Sequence, residues 1–208
     1  MLTSEKTKPF DMQREPAWDI AHLFPPQGAW TMEQYFALDT NRLVEFSHGR
    51  IEVLPLASKS HQLLVLFFFE VLKAYLSHLH PGFVLLVAPH PVLVEGDQLR
   101  EPDVIVLLSE HAYRSTEKYC EQPDLVVEVV SPDYRKHDFE TKRREYAKVG
   151  IPEYWIVDPQ EERVLVLSLN DNGVYDVRGT YARGQLAQSA LLPGFEVSMD
   201  AMWQAAGR

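Results

Sequence analysis

The apolar residues of this chain fall first into the spacing of amphipathic helices. Thr31 and Gln34 have the spacing of a capping box, which predicts that a short helix begins there. A longer helix is predicted to begin after Ser58 or Ser60, either of which can cap it, and to end at about Leu79. The apolar stripe of this helix comprises Leu64, Val65, Phe68, Leu72, Tyr75, Leu76 and Leu79.

The opposite side of the long helix is apolar as well, at Leu63, Leu66 and Phe67. We therefore expect both faces to be buried, one against a sheet and the other against another element or a second subunit, so that a homodimer is one hypothesis. The longest apolar run, residues 63–69, is much shorter than the ~20 residues that a membrane span requires. We expect a core helix and no membrane anchor.

Shorter runs of β-branched and aromatic residues, bounded by Pro, Gly or charged residues, predict strands. The run 124–130 is almost continuously apolar except at Glu128, which is typical of a central strand covered on both faces. A helix predicted over residues 138–149 separates it from the next strand, which gives a βαβ unit. Gly49 and Gly173 lie in two predicted hairpin turns. The predicted strands are residues 42–46, 50–54, 83–87, 91–94, 104–108, 124–130, 153–158, 163–169 and 174–177.

Composition bounds the class of protein. A chain of 208 residues that is 46% hydrophobic can bury one core, expected over residues 29–208, behind a loosely ordered N-terminal arm over residues 1–28. The arm lacks the apolar run of a secretory signal peptide, and the single Cys120 fits a reducing compartment, so we expect a cytoplasmic protein. A net charge of −10 argues against broad attraction to a polyanion, so any contact with nucleic acid must be local.

Three charged residues stand in otherwise apolar patterns. Glu128 lies within Leu-Val-Val-Glu-Val-Val, Asp103 directly precedes a predicted strand, and Lys142 lies in the inward stripe of its helix. Each has an ordinary explanation: an ion pair or a protonated acid for Glu128, a turn residue for Asp103, and snorkelling or pairing with Asp138 for Lys142. Those explanations weaken when the three residues are considered together.

A hard divalent cation would account for all three residues at once. Carboxylate oxygens from Asp103 and Glu128, with the backbone carbonyl of Val129, form a donor set that suits Mg²⁺ or Mn²⁺. The single cysteine and the scattered histidines do not have zinc-site spacing. The sequence also lacks a Walker loop, a Gly-x-Ser-x-Gly elbow and a dinucleotide-binding glycine motif, and a glycosidase acid pair would need no lysine.

Four segments together resemble the Uma-two family of restriction-endonuclease-like proteins, and the resemblance covers roughly Trp30 to the C-terminus. The segments are Glu101-Pro-Asp103, LVVEVVSP over residues 125–132, Lys142-x-x-x-Tyr146, and GIPEYWIVDP over residues 150–159. The resemblance implies a PD-(D/E)XK nuclease: an α/β fold with a restriction-endonuclease-like mixed central sheet flanked by helices, and with added β-hairpins.

The resemblance also implies roles for individual residues. The superfamily usually places a lysine two residues after the strand acid, where this chain has Val130, so the lysine function is expected to have moved to Lys142. Asp103, Glu128 and Lys142 are thus the expected catalytic residues of a Mg²⁺- or Mn²⁺-dependent endonuclease. Glu45 and His61 match further positions of the family pattern and are secondary candidates.

A local positive surplus indicates where nucleic acid, with DNA expected, could approach. Residues 135–148 carry six Lys or Arg against three Asp or Glu. The predicted phosphate contacts are Arg135, Lys136, Arg143 and Arg144; the alternative is a solvated helix face with i,i+4 ion pairs. The rival prediction for the whole protein is a catalytically inactive nuclease-fold domain that serves as a dimeric binding or interaction module.

Overall fold

The structure is a computed structural model that describes residues 24–40 and 42–208. Most of the predicted N-terminal arm, residues 1–23, lies outside the described residues. The helices are α1 (Met32–Phe36), α2 (Lys59–Leu79), α3 (Arg143–Lys148) and α4 (Met199–Ala205). The strands are β1 (Val44–Ser47), β2 (Arg50–Val53), β3 (Val84–Val87), β4 (Val92–Glu95), β5 (Gln98–Arg100), β6 (Val104–Leu107), β7 (Cys120–Glu121), β8 (Leu125–Val129), β9 (Glu153–Asp158), β10 (Arg163–Leu169), β11 (Tyr175–Tyr181), β12 (Leu186–Gln188) and β13 (Glu196–Ser198).

The main sheet is mixed and six-stranded, in the order β11-β10-β9-β8-β6-β3. Strand β8 lies between β6 and β9 and is buried along its whole length, as its apolar run predicted. It pairs in parallel with β9, and the intervening helical segment completes the predicted βαβ unit. The predicted hairpin of β10 and β11 extends the sheet at one edge.

A second, five-stranded sheet has the order β2-β1-β5-β4-β7. The predicted strands over residues 83–87, 91–94 and 104–108 are present, but an unpredicted strand, β5, lies between the last two: β3 pairs with β6 in the main sheet, whereas β4 turns back at Gly96 to pair with β5. Strand β5 is short and carries polar residues at both ends, so periodicity did not reveal it. Its middle residue Leu99 packs with Phe46 in a separate apolar cluster, and this packing holds β5 in the second sheet.

Helix α2 begins after Ser58, whose hydroxyl accepts a hydrogen bond from the His61 amide, and packs one line of side chains on the main sheet. The fully buried residues of this line are Leu64, Phe68, Leu72 and Leu76. On the opposite side of the helix Leu66 is more than half exposed among the described residues, so burial of that side by a second subunit stays a prediction. In the described part of the chain, α2 is the helix long and apolar enough to cross a membrane by length and composition, a test that a core helix also passes.

The hairpin between β1 and β2 turns at His48 and Gly49, both with positive φ, as the glycine predicted. A Cβ atom at Gly49 would lie 2.7 Å from the carbonyl oxygen of Gly28. The amides of Gly28 and Trp30 both donate to the Gly49 carbonyl, so the chain before α1 is fixed against this hairpin. The hairpin thereby holds β1, and with it Glu45, beside the main sheet.

Candidate active site

Two acids meet where neighbouring antiparallel strands of the main sheet begin and end. Val104 at the start of β6 pairs with Val127 near the end of β8, and the next step in register brings Asp103 beside Glu128. The backbone amide of Val129 donates to Asp103 Oδ2 at 2.7 Å, which fixes that carboxylate. Both side chains are deep in the fold, at 8% and 4% exposure. The structure thus brings together the two acids that the sequence singled out.

Lys142 reaches the same point from the segment between β8 and β9. Its Nζ lies 2.9 Å from Glu128 Oε1, 3.4 Å from Asp138 Oδ1 and 3.2 Å from Glu45 Oε1. Burial lowers the pKa of this ammonium, but the charges of Glu128 and Glu45 outweigh it and leave the pKa raised. Lys142 is therefore a permanent cation at neutral pH.

The helix that carries Lys142 opens with a π-helical turn over His137–Lys142, followed by α3. The i→i+5 bonding of a π turn widens the helix, so residues four apart come into line. Asp138, Lys142 and Tyr146 are the buried line as a result, whereas Phe139, three residues before Lys142, is only half-buried. Tyr146 donates its hydroxyl to Glu128 Oε1 at 2.7 Å. The family-like Lys142-x-x-x-Tyr146 pattern thus places both donors on one carboxylate oxygen.

Glu45 joins the site from β1 of the second sheet. Its carboxylate lies 3.4 Å from Arg100 Nη1 and 3.4 Å from His137 Nε2, besides its contact with Lys142. Burial alone would raise the pKa of Glu45, but Lys142, His137 and Arg100 together lower it to about 2. Arg100 is held in turn by two 2.7 Å hydrogen bonds to Glu145. The sequence had indicated Glu45 and Lys142 but not Arg100 or Glu145. An Arg on a short polar strand and a Glu on a charged helix carry no distinguishing pattern.

His61 lies in the first turn of α2, with Nε2 3.3 Å from Asp103 Oδ2. Burial lowers the pKa of this imidazole, but the hydrogen bond and charge of Asp103 have the larger combined effect and raise it. The residue that was a secondary candidate in the sequence therefore contacts the first acid directly. Its position follows from the Ser58 cap, which sets where α2 begins.

The site has more negative charge than its cations neutralise. Burial raises the pKa of Glu128 and Asp138, and repulsion from Asp103 raises both further. Among the described residues no hydrogen-bond donor contacts the second oxygens of Asp103 and Glu128, and these two acids line one small cleft with Val129 and Lys142. Oxygen donors with unneutralised charge fit a hard divalent cation. Residues 24–40 and 42–208 contain no preformed cluster of three His, Cys, Asp or Glu ligands.

Three of the four predicted phosphate-contacting residues already have protein partners. Arg135 Nη1 lies 2.6 Å from Asp158, and its Nη2 donates to Glu161. Arg143 donates to the carbonyl of Tyr175 and Arg144 to that of Glu140, whereas Lys136 is exposed. A basic surface at this helix stays a prediction.

The chain has a restriction-endonuclease-like fold. Its mixed sheet is flanked by helices, two neighbouring central strands carry the acids, and the segment between β8 and β9 carries the lysine. The chain belongs to the Uma-two family (Uma2), described as putative restriction endonuclease, whose model matches residues 32–200. This membership confirms the resemblance and supports nuclease function in general.

A solved structure with a similar fold is that of a putative nuclease belonging to DUF820 from Anabaena variabilis ATCC 29413. It is 17% identical, with a TM-score of 0.68, and the match covers 85% of this chain and 98% of that one. This likeness confirms the fold predicted from the sequence. No curated protein matches the chain.

Proposed function

We propose that this protein is a Mg²⁺- or Mn²⁺-dependent endonuclease that hydrolyses phosphodiester bonds in DNA, with Asp103, Glu128 and Lys142 at the reacting centre. The observation that carries the proposal is the 2.9 Å contact of Lys142 Nζ with Glu128, directly beside Asp103, on the floor of a cleft. An acid pair and a cation in that arrangement suit charge stabilisation on a phosphate.

The metal would be held by the carboxylates of Asp103 and Glu128 and by the carbonyl of Val129. A bound divalent ion there would supply Lewis-acid stabilisation of phosphate charge and a lower pKa for water. Asp103 and Glu128 each commit one oxygen to fixed donors, Val129 N–H for the first and Tyr146 and Lys142 for the second. Both carboxylates are thus pre-oriented, which limits the cost of ordering them when a ligand binds.

Lys142 is assigned the role of stabilising negative charge on the reacting phosphate. A permanently protonated ammonium can donate hydrogen bonds but cannot accept a proton, which excludes Lys142 as the general base. Glu45 holds the ammonium together with Glu128, and Arg100 and His137 hold Glu45. We therefore assign Glu45 and His61 as positioning residues, the first for Lys142 and the second for Asp103.

The test is cleavage of a mixed pool of DNA substrates with Mg²⁺ or Mn²⁺. Asp103→Asn, Glu128→Gln and Lys142→Met should each lower the rate about 10²-fold or more. Glu140→Gln, in the same helical segment as Lys142, and Lys73→Met, on α2, make matched changes at exposed positions and should retain activity. Full activity in all three site variants would refute the assignment.

A second measurement separates this proposal from an inactive binding module. Metal that binds only the native state must stabilise it, by about 2.7 kcal/mol at a hundredfold excess over Kd. The melting temperature should then rise by roughly 5–11 °C. Asp103→Asn should abolish that rise. No rise in the wild type, together with no cleavage, would establish the inactive module instead.

We also propose that the protein is cytoplasmic and forms a homodimer; the observation that supports the dimer is an exposed leucine on α2. Leu66, on the side of the helix opposite its buried line, is 52% exposed among the described residues. Light scattering after size exclusion would give the mass directly. A monomer at all concentrations would refute the dimer and leave the nuclease proposal untouched.

A further inference from the structure

The candidate site lies between larger depressions. Its cleft has only about 50 Å³ of free space, but it shares His61, Asp103 and Leu54 with a cavity of about 330 Å³. That cavity shares Arg42 and Pro89 with another of about 330 Å³. The depressions therefore adjoin one another from Asp103 past Arg42 to Lys118, and together they are here called the side groove.

The side groove carries cations in a protein of net charge −10. Arg42 and Lys118 line it and are exposed. Arg42 contacts the Leu54 carbonyl at 3.4 Å, and the Lys118 ammonium lies 5.4 Å from the centre of the Phe36 ring. No ion pair joins either cation to a carboxylate among the described residues, unlike Arg135 on the helix. Among the described residues the groove thus carries two cations without an ion-pair partner, besides the acids Glu101 and Asp103 that also line it.

The groove wall is also apolar. Phe36, Leu38 and Pro89 line the far cavity, and Leu56, at 77% exposure, lines the near one. Available cations along an apolar and aromatic channel are the combination by which proteins bind single-stranded nucleic acid, since phosphates pair with the cations and unpaired bases contact the wall. A duplex keeps the faces of its bases stacked on one another and would leave that wall without a partner.

The depth of the site leads to the same substrate form. Asp103 and Glu128 are less than one-tenth exposed, and the segment between β2 and α2 borders the cleft through Leu54, Pro55 and Ala57. A continuous duplex is a broad, stiff cylinder, whereas a single strand can bend one phosphate into a narrow cleft. We propose that the side groove binds a single strand of DNA and that the site acts on single-stranded rather than continuous duplex regions. The cleavage part rests on the proposed function, whereas the binding part does not.

Binding is tested in EDTA, so that no cleavage occurs, by fluorescence anisotropy with a short labelled oligodeoxythymidylate and with a duplex of the same length. The single strand should bind at least about tenfold more tightly than the duplex. Arg42→Gln and Lys118→Gln should each reduce the slope of log affinity against log salt by ~0.7, and the double variant by ~1.4. Lys73→Gln, an exposed position on α2 that does not line the groove, should leave the slope unchanged.

The outcomes separate this inference from the proposed function. Equal or tighter duplex binding, or an unchanged slope in the double variant, would overturn the side groove even if the protein cleaves DNA. A slope change confined to Lys136→Gln and Arg144→Gln would overturn it as well and would assign binding to the helix. Strand preference and slope changes as expected, without cleavage in Mg²⁺ or Mn²⁺, would uphold the groove and refute the nuclease.

Discussion

Lys142→Met and Glu128→Gln should both lower the proposed activity, but they should change stability in opposite directions. Lys142→Met removes the ammonium that Glu128, Glu45 and Asp138 share. Breaking a buried ion pair from one side leaves uncompensated charge and costs about 3–5 kcal/mol. At about 2–4 °C per kcal/mol for a protein of this size, the melting temperature should fall by roughly 6–20 °C.

Glu128→Gln should have the opposite effect. Burial and the neighbouring acids raise the pKa of Glu128, which means that the ionised carboxylate destabilises the folded state at neutral pH. Glutamine keeps an oxygen that accepts hydrogen bonds from Tyr146 and Lys142. The Lys142 ammonium also keeps its ion pairs with Glu45 and Asp138. Relieving a functionally strained site of this kind gains about 0.5–2 kcal/mol, or roughly 1–8 °C.

Both variants are compared with the wild type by differential scanning fluorimetry at neutral pH in EDTA. Circular dichroism checks that each variant is folded before activity is measured. A fall in the melting temperature of Glu128→Gln comparable to that of Lys142→Met would refute the reasoning. It would show that Glu128 is a net stabilising ion-pair partner, which is the ordinary explanation of a buried acid, rather than an acid kept for a ligand.

Three further predictions concern the surroundings of the site. The pKa of Glu45 is about 2 against an ordinary 4.5, so its ionised carboxylate contributes about 3 kcal/mol of folding stability. That contribution is present above pH 4.5 and is lost as pH falls towards 2. In a pH series, the melting-temperature difference between wild type and Glu45→Gln should therefore narrow below pH 4.5. Glu153 accepts four hydrogen bonds, two of them from backbone amides, and Glu153→Gln should cost about 3 kcal/mol in urea unfolding; a loss below the error of the fit would contradict this. Gly49→Ala should destabilise by more than about 1 kcal/mol, because φ is +71° and the Cβ would meet the Gly28 carbonyl, whereas Gly173→Ala has open space and should cost less in the same assay.

The catalytic candidates could be found from sequence because each departs from its local pattern. Glu128 interrupts a buried strand and Lys142 interrupts an apolar helix stripe, and buried charge is costly enough to require a reason. Because β6 and β8 are antiparallel and Val104 pairs with Val127, their register places Asp103 beside Glu128. These residues were predictable because their anomaly is local.

The rest of the site depends on contacts between elements distant in sequence. Asp138 is the exception, because its pairing with Lys142 four residues on was one of the sequence-based alternatives; the π turn that carries both residues is what a 3.6-residue period does not predict. Arg100 belongs to a strand whose sheet is chosen by the packing of Leu99 on Phe46. Nothing in the local pattern distinguishes such residues from ordinary surface charges, so their roles needed the structure.

In the proposed function, a lysine on the helix instead of on the strand changes what controls the site. Val130 shares the face of Glu128 and packs into the core with Tyr146, so the usual lysine position is filled by apolar contacts. Supplied from the helix, the ammonium still reaches Glu128, but it also contacts Glu45 on the second sheet. The reacting cation is therefore positioned jointly by both sheets. A shift of the β1–β2 hairpin would be transmitted to Lys142 through Glu45, a coupling that a strand-borne lysine would not have.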